Sequence, residues 1–238
     1  MKKNESRREG APILRSALKS TVRQILLHKD TQAAIEEVLL LPPRHVINPL
    51  FALIQSGDPK LKWPAVRCFG AVVSTLANQD PESSRQVMRR LMWSLNDESG
   101  GIGWGSAEAM GESLARNGIL AAEYLPILLS YAREDGNYLE HEPLQRGLLW
   151  GIGRAAEHYP EPVRAALPHL LAYLDSPDAG VRGLAARLMG LLQVREACVR
   201  LRDLARDPLE MPLDFQEERG KHRVKDLALE ALESIPCP

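Results

Sequence analysis

A repeat of about 40 residues constrains the fold of this chain more than any other feature of its sequence. Glycine marks the repeat at Gly70, Gly111, Gly153 and Gly190, and Glu233 takes the same position in a degenerate last copy. An aliphatic residue precedes each of these positions by nine residues: Leu61, Ile102, Leu144, Val181 and Val224. A repeat of this length with helical internal spacing is typical of a helical solenoid, in which each repeat contacts only its neighbours. We therefore expect the five aliphatic residues to be buried in one continuous column.

The composition and charge of the chain limit the classes of function that it can have. The chain of 238 residues has a net charge of −1, so no overall positive field attracts nucleic acid or membrane. Basic residues are concentrated in 1–23 and 182–206 and acidic ones in 134–142, which indicates either solvated faces or a bipolar surface that orients a partner. The sequence has no leader-like apolar segment and no apolar run of about 18 residues. We therefore expect a cytoplasmic protein that does not span a membrane.

Turn signals divide the chain into helices. Residues 1–10 are polar and charged and are expected to form a disordered basic tail, followed by a single domain over 11–238. Two helices over 12–28 and 31–41 precede the repeats. First helices of the pairs are predicted near 44–56, 83–95, 120–133, 161–174 and 196–206, and second helices near 62–77, 105–117, 143–158, 179–192 and 222–235. The long connections 96–103 and 134–142 both precede second helices, so we expect them at the same end of the solenoid.

A family resemblance supports this division. Segment 181–208, VRGLAARLMGLLQVREACVRLRDLARDP, resembles a HEAT repeat of the bilin-lyase-like (PBS-lyase) type, with its small residues, hydrophobic–glycine pair, short turn and terminal Asp-Pro. Segment 105–115, GSAEAMGESLA, resembles the second helix of that repeat, and the likeness extends over about residues 44–235. It implies an all-α, right-handed α-solenoid of about five HEAT-like helix pairs with an N-terminal helical cap. It does not imply one function, because such repeats occur in scaffolds, enzymes and adaptors.

One face of the second helices carries large polar and aromatic residues. Positions seven and three residues before the repeated glycine, and one after it, are spaced by four and lie along one helix face. The residues of interest at these positions are Trp63, Arg67, Trp104, Glu108, Glu112, Arg146, Trp150, Arg154 and Arg187. Because second helices line the concave side of a HEAT-like stack and the aliphatic columns occupy the opposite face, we expect these side chains to project away from the core.

Two interpretations of this face stay open. It can be a binding groove, since tryptophan and arginine are the residues most often found at binding hot spots. It can also be a structural network between repeats, in which Glu108 pairs with Arg67, Glu112 pairs with Arg154, and the tryptophans pack across repeats. Exposed tryptophan beside unlike charges favours the groove.

The connection over 134–142 places further residues beside the predicted groove. If it lies beside connection 96–103, Asn137, Tyr138 and His141 overhang the face near Trp104. Tyr138 and His141 are therefore included among the candidate binding residues.

A second resemblance offers an enzymatic alternative. HEAT-like alkylpurine DNA glycosylases are similar in length and use a concave groove with tryptophans, an acid and an arginine. The resemblance implies that Trp104, Glu108, Arg146 and Trp150 hold a cationic base while the carboxylate stabilises charge on the deoxyribose. That family's acid is usually aspartate, and a net charge of −1 does not suit a DNA groove, so nucleic acid is the disfavoured partner. A bilin-handling lyase is a third alternative, suggested by repeat type alone.

The sequence offers no pattern for a metal site or a nucleophile. His141-Glu142 matches one of the four His-Glu dyads of HEAT-like iron hydroxylases that act on deoxyhypusine, and one dyad cannot supply the ligand set. The three cysteines have no metal or redox spacing, and Cys68 is expected to be a buried thiol. We therefore expect no cofactor and a non-catalytic interaction or scaffold module that binds a protein or peptide partner in its concave groove.

Overall fold

The protein is built from helices joined by turns. The structure, a computed structural model, describes residues 17–27, 29–97, 103–211 and 223–237, and the predicted tail over 1–10 lies outside these ranges. Within them, extended pairing is limited to an isolated bridge between Glu210 and Arg223. The predicted all-α class is therefore confirmed.

The helices follow one another at the spacing that the sequence predicts. They are α1 (17–27), α2 (Thr31–Leu39), α3 (Pro43–Ile54), α4 (Pro59–Gln79), α5 (Pro81–Leu95), α6 (Ser106–Arg116), α7 (Gly118–Ser130), α8 (Glu142–Ala156), α9 (Pro160–Arg164), α10 (Leu167–Leu170), α11 (Ala179–Leu191), α12 (Cys198–Leu204) and α13 (Val224–Ser234). Short 3₁₀ segments extend α10 over Leu171–Asp175 and precede α12 over Arg195–Ala197.

Five helix pairs form the solenoid. The pairs are α3 with α4, α5 with α6, α7 with α8, the interrupted α9–α10 segment with α11, and α12 with α13. The second helices α4, α6, α8, α11 and α13 pack in series, each against the next, whereas first helices contact one another much less. Because the more tightly spaced layer of a curved stack lies inside, the second helices form the concave side. The predicted solenoid is confirmed, and α2 packs on α4 at its N-terminal end.

The repeated glycine lets consecutive second helices approach closely. A Cβ atom on Gly111 would lie 2.3 Å from the Cα of Gly151, and one on Gly190 would lie 2.7 Å from the Cα of Ala231. A Cβ on Gly70 would lie 2.5 Å from a side-chain atom of the next helix. Such distances are too short for real carbon contacts, so these glycines are required by the packing of α4, α6, α8, α11 and α13.

The predicted burial of the aliphatic column is confirmed for three of its four described members. Leu61, Val181 and Val224 are buried. Leu144 is partly buried and packs against the same core, and Ile102 lies outside the described residues. The structure therefore supports the repeat alignment on which the site prediction depends.

The cysteines divide into a buried thiol and a bonded pair. Cys68 is fully buried as predicted, and burial raises the pKa of its thiol to about 12. Cys198 and Cys237, which are 39 residues apart, form a disulfide that closes the last helix pair. The spacing of the cysteines along the sequence does not reveal this pair, because Cys198 begins α12 whereas Cys237 follows the end of α13.

None of the helices within 17–27, 29–97, 103–211 and 223–237 is both long and apolar enough to cross a membrane.

The packing of the repeated glycines can be tested with two matched substitutions. Gly111→Ala should lower the free energy of unfolding by about 3 kcal/mol, because the new methyl group overlaps the backbone of α8. Gly153→Ala should raise it by up to about 1 kcal/mol, since a Cβ there meets nothing within 4 Å and alanine favours the helix. Urea unfolding followed by circular dichroism measures both. Equal effects of the two substitutions would contradict the alignment of α6 on α8.

The disulfide supports a second prediction, which concerns the free energy of unfolding. Reduction should lower the free energy of unfolding by about 4 kcal/mol, as expected when a covalent loop of this size is opened. Chemical denaturation with and without reductant measures the loss. The double variant Cys198→Ser/Cys237→Ser is the control and should not respond to reductant. Detection of three thiols in denaturant without reductant would contradict the bond.

Candidate functional site

The structure separates the predicted site residues into two groups. One group lies on the concave helices α4, α6, α8 and α11 and contains Trp63, Arg67, Glu108, Glu112, Arg146, Trp150, Arg154 and Arg187. The other group lies at the edge made by the two long connections and contains Trp104, Tyr138 and His141.

The prediction that the concave residues are exposed is wrong for four of them. Trp63 and Trp150 are only 4% and 5% exposed, and Glu108 and Glu112 are 3% and 0% exposed. The ring centroids of Trp63 and Trp150 lie 4.8 Å apart, although α6 packs between the helices that carry them. The close glycine-mediated packing around α6 allows this contact. The spacing of residues along one helix does not reveal how near the next helix lies.

A buried ion pair joins α4 to α6. The Lys62 Nζ lies 2.8 Å from the Glu108 Oε1, and both side chains are almost fully buried. The Lys62 ammonium also lies 5.2 Å from the centroid of the Trp63 ring, within the range of a cation–π interaction. The predicted pairing of Glu108 with Arg67 is therefore wrong, because the neighbouring lysine reaches the carboxylate first.

Glu112 binds guanidinium groups from three helices. Arg67 Nη1 on α4 and Arg154 Nε on α8 donate to the same Oε2 atom at 2.6 and 2.8 Å. Arg116 Nε on α6 donates to Oε1 at 2.6 Å. The predicted pairing of Glu112 with Arg154 is confirmed. One buried carboxylate thus holds together three consecutive second helices.

The aromatic and ionic contacts on these helices form one structure, which we call the central network. Its members are Lys62, Trp63, Arg67, Glu108, Glu112, Arg116, Trp150 and Arg154. The Arg67 guanidinium lies 5.2 Å from the Trp150 ring and so links the ion pairs to the tryptophan pair. The structural interpretation of this face, which the sequence left open, therefore applies to most of its residues.

Arg146 also has a structural role. Its Nε and Nη2 atoms donate to the two carboxylate oxygens of Asp178 at 2.9 and 2.5 Å. Asp178 in turn accepts a hydrogen bond from the Val181 amide at 2.8 Å and caps the start of α11. Burial acts to raise the pKa of this carboxyl, but the hydrogen bonds from Arg146 and the backbone outweigh it and hold the pKa below its usual value. Arg146 therefore ties α8 to α11 rather than facing a ligand.

An open groove remains on the concave side between α8 and α11. Its volume is about 390 Å³, and we call it the α8–α11 groove. Its lining includes Arg67, Trp150, Gly153, Arg154, Glu157, Leu184, Arg187 and Leu191. Arg187 is exposed, and Leu191 is 44% exposed. Four predicted site residues, Arg67, Trp150, Arg154 and Arg187, thus meet at one cavity.

Gly153 distinguishes this groove from the rest of the concave face. It occupies the repeated glycine position, yet a Cβ on it would meet nothing within 4 Å, unlike those on Gly70, Gly111 and Gly190. Glycine inside a helix costs about 1 kcal/mol relative to alanine. The packing of the described residues gives no reason for it, and its effect is to widen the groove.

The second group of predicted residues comes together as expected. The rings of Trp104 and His141 lie 6.3 Å apart, edge to face. A cavity of about 720 Å³ is lined by both long connections, including Asn96, Trp104 and Tyr138. The prediction that the connections lie at the same end is confirmed for their described residues. Trp104 and Tyr138 are each 38% exposed.

An acidic cavity lies on the other side of the 134–142 connection. Its volume is about 560 Å³, and its lining carries the carboxyl groups of Glu134, Asp135, Glu140, Glu142 and Asp175. Tyr138 lines both cavities and so marks the boundary between them. The acidic sequence segment therefore forms a surface of opposite charge to the arginines of the α8–α11 groove.

The geometry gives little room for the chemistry of the enzymatic alternative. Glu108 is almost completely buried and paired with Lys62, so its carboxylate has no path to a deoxyribose. Within the described ranges, no group of three or more His, Cys, Asp or Glu side chains could hold a metal ion. The His141 Nδ1 lies 3.9 Å from the Glu142 Oε2 on an exposed edge.

Glu112 supports a prediction about the central network. Glu112→Gln keeps the shape of the side chain but leaves three guanidiniums without their shared carboxylate, so the free energy of unfolding should fall by about 3–5 kcal/mol. Glu157→Gln removes an exposed partner of Arg154 and should cost less than about 1 kcal/mol. Urea denaturation of the two variants beside the wild type measures the difference. Similar small losses would show that the network does not need the Glu112 charge.

Comparisons with known proteins support the fold. No family model and no curated protein matches the chain. The designed armadillo repeat protein YIII(Dq.V1)4CPAF, in complex with the peptide (KR)4, is 17% identical, covers 98% of this chain and 95% of its own, and has a TM-score of 0.52. The designed armadillo repeat protein YIII(Dq)4CqI is 18% identical, with 93% of each chain covered and a TM-score of 0.51. An engineered protein of the Northeast Structural Genomics Consortium is 17% identical, covers 92% of this chain and 98% of its own, and has a TM-score of 0.51. The chain is thus an α-solenoid similar in fold to designed armadillo repeat proteins.

Proposed function

We propose that this protein is a non-catalytic interaction module that binds a protein or peptide segment in the α8–α11 groove. The observation that carries the proposal is Gly153. A glycine in a helix interior is destabilising relative to alanine, so its presence calls for a reason. No neighbouring residue of the described chain occupies the space beside Gly153. Close approach of a ligand is one of the few uses of glycine that fits an open concave surface.

The surroundings of Gly153 suit a binding surface. The exposed Leu191 and the exposed Arg187 supply an apolar and a charged contact within one cavity, which the largely buried Trp150 also lines. The central network fixes Trp150 and Arg154 on α8 before a ligand arrives. A groove fixed in advance loses less entropy on binding, which favours affinity.

The fold neighbours support the same class of function. A designed armadillo repeat protein of similar fold has been solved with the peptide (KR)4. Because the identity to that protein is only 17%, the likeness supports a peptide as a ligand for a protein of this fold and says nothing about the sequence that would bind here.

We also propose that the protein works in the cytoplasm. The disulfide between Cys198 and Cys237 would then have to resist reduction, because cytosolic thiols are normally kept reduced.

A library of random 12-residue peptides displayed on phage tests the proposed function. We expect peptides to be enriched on the wild type and their affinity to fall at least tenfold on Gly153→Trp, whose indole fills the groove. Gly153→Ala places only a methyl group in the space assigned to the ligand and should lower the affinity less than Gly153→Trp does. Circular dichroism and thermal unfolding of both variants show that the fold is intact.

One result of this experiment would overturn the proposal. If no enriched peptide loses affinity on Gly153→Trp while the variant remains folded, then the α8–α11 groove does not bind peptides.

A further inference from the structure

We infer that the segment bound in the α8–α11 groove is acidic, with aspartate or glutamate side chains that pair with its arginines and aliphatic side chains between them. The inference rests on the proposed function and names the chemistry of its partner. It follows from the positive charge of the groove, from the arginine donors that make no hydrogen bond within the described chain, and from the apolar residues that line the groove.

Arg154 and Arg187 give the α8–α11 groove positive charge. Arg67 and Arg154 share one oxygen of Glu112, and a third guanidinium already binds the other oxygen. Glu157 adds one more carboxylate, paired with Arg154 at the edge of the groove. Arg187 adds a further positive charge and makes no ion pair with any described residue. An anionic ligand would complete this arrangement.

The remaining hydrogen-bond donors fit a carboxylate. Arg154 donates to protein carboxylates from Nε and Nη1, which leaves its Nη2 without a hydrogen bond to any part of the chain that the structure describes. The Arg154 side chain is 19% exposed and lines the groove. The exposed Arg187 guanidinium presents its donors in a planar fork that matches the two oxygens of a carboxylate, and Arg154 Nη2 can add a further hydrogen bond.

The walls of the groove favour an acidic peptide over a longer polyanion. Leu191, which is 44% exposed, gives the groove an apolar side that an aliphatic side chain can contact, whereas Leu184 and Leu188, which also line the groove, are almost fully buried. The acidic cavity around Glu134 and Glu140 lies at the N-terminal end of α8, whereas the groove lies along its C-terminal half, so a nucleic acid that extended along α8 would be repelled. A short segment that contains both acidic and aliphatic residues can pair with the arginines of the groove and also contact its apolar side.

Charge reversal at Arg187 tests the inference on the peptides that the library yields. We expect the enriched peptides to be rich in aspartate and glutamate, and their Kd to rise at least tenfold on Arg187→Glu. Arg164→Glu, on the outer helix α9, makes the same change in net charge away from the groove and should alter the Kd less than twofold. The Kd should also rise with salt between 50 and 300 mM, because the contacts are ionic.

The outcomes separate this inference from the proposed function. Peptides that are neutral or basic yet sensitive to Gly153→Trp would leave the proposed function standing and overturn the acidic partner. Acidic peptides that are weakened equally by Arg187→Glu and Arg164→Glu would also overturn it, since the effect would then come from net charge alone. The absence of any peptide sensitive to Gly153→Trp would remove the proposed function and the inference together.

Discussion

The close approach of α6 to its two neighbours determines the rest of the concave surface. A methyl group at Gly111 would overlap the backbone of α8, so the two helices can pack this closely only without a side chain there. At this distance, side chains from α4 and α8 reach each other, and Trp63 contacts Trp150. Carboxylates on α6 are then enclosed and must be neutralised, because an unpaired buried charge is very costly. Backbone spacing thus explains why lysine and arginine surround Glu108 and Glu112.

Buried ion pairs are a poor source of stability by themselves, since desolvation offsets much of the attraction between the charges. Their geometry is demanding, however, and it fixes the register of one helix against the next. Glu112 accepts hydrogen bonds from α4, α6 and α8 only in one alignment, because both of its oxygens are used. We interpret the central network as a device that sets register in a solenoid whose small residues would otherwise allow the helices to slide.

Much of the fold could be predicted from the sequence, because the repeat and its turn residues are local signals. The positions of the helix pairs and the meeting of Trp104 with His141 followed from them. The burial of Trp63 and Trp150 did not, because it depends on the distance between helices and not on spacing along one of them. The disulfide was missed for a similar reason, since only the folded last repeat brings Cys198 to Cys237. Of the candidate site, the arginine-lined part lies at the α8–α11 groove, whereas Trp104, Tyr138 and His141 belong to a different edge.

The contact between Trp63 and Trp150 has a consequence for how the solenoid unfolds. In an ordinary repeat array each unit interacts only with the next, so stability is close to a sum over adjacent pairs and the ends open one at a time. Here two tryptophans meet across an intervening second helix, and a single carboxylate joins the same three helices. The first three helix pairs therefore form one cooperative unit that opens as a whole, while the last two pairs, joined to it through the Arg146–Asp178 ion pair, can open separately. The α8–α11 groove lies at the boundary of that unit, where hinge motion between a rigid block and a softer end would change its width.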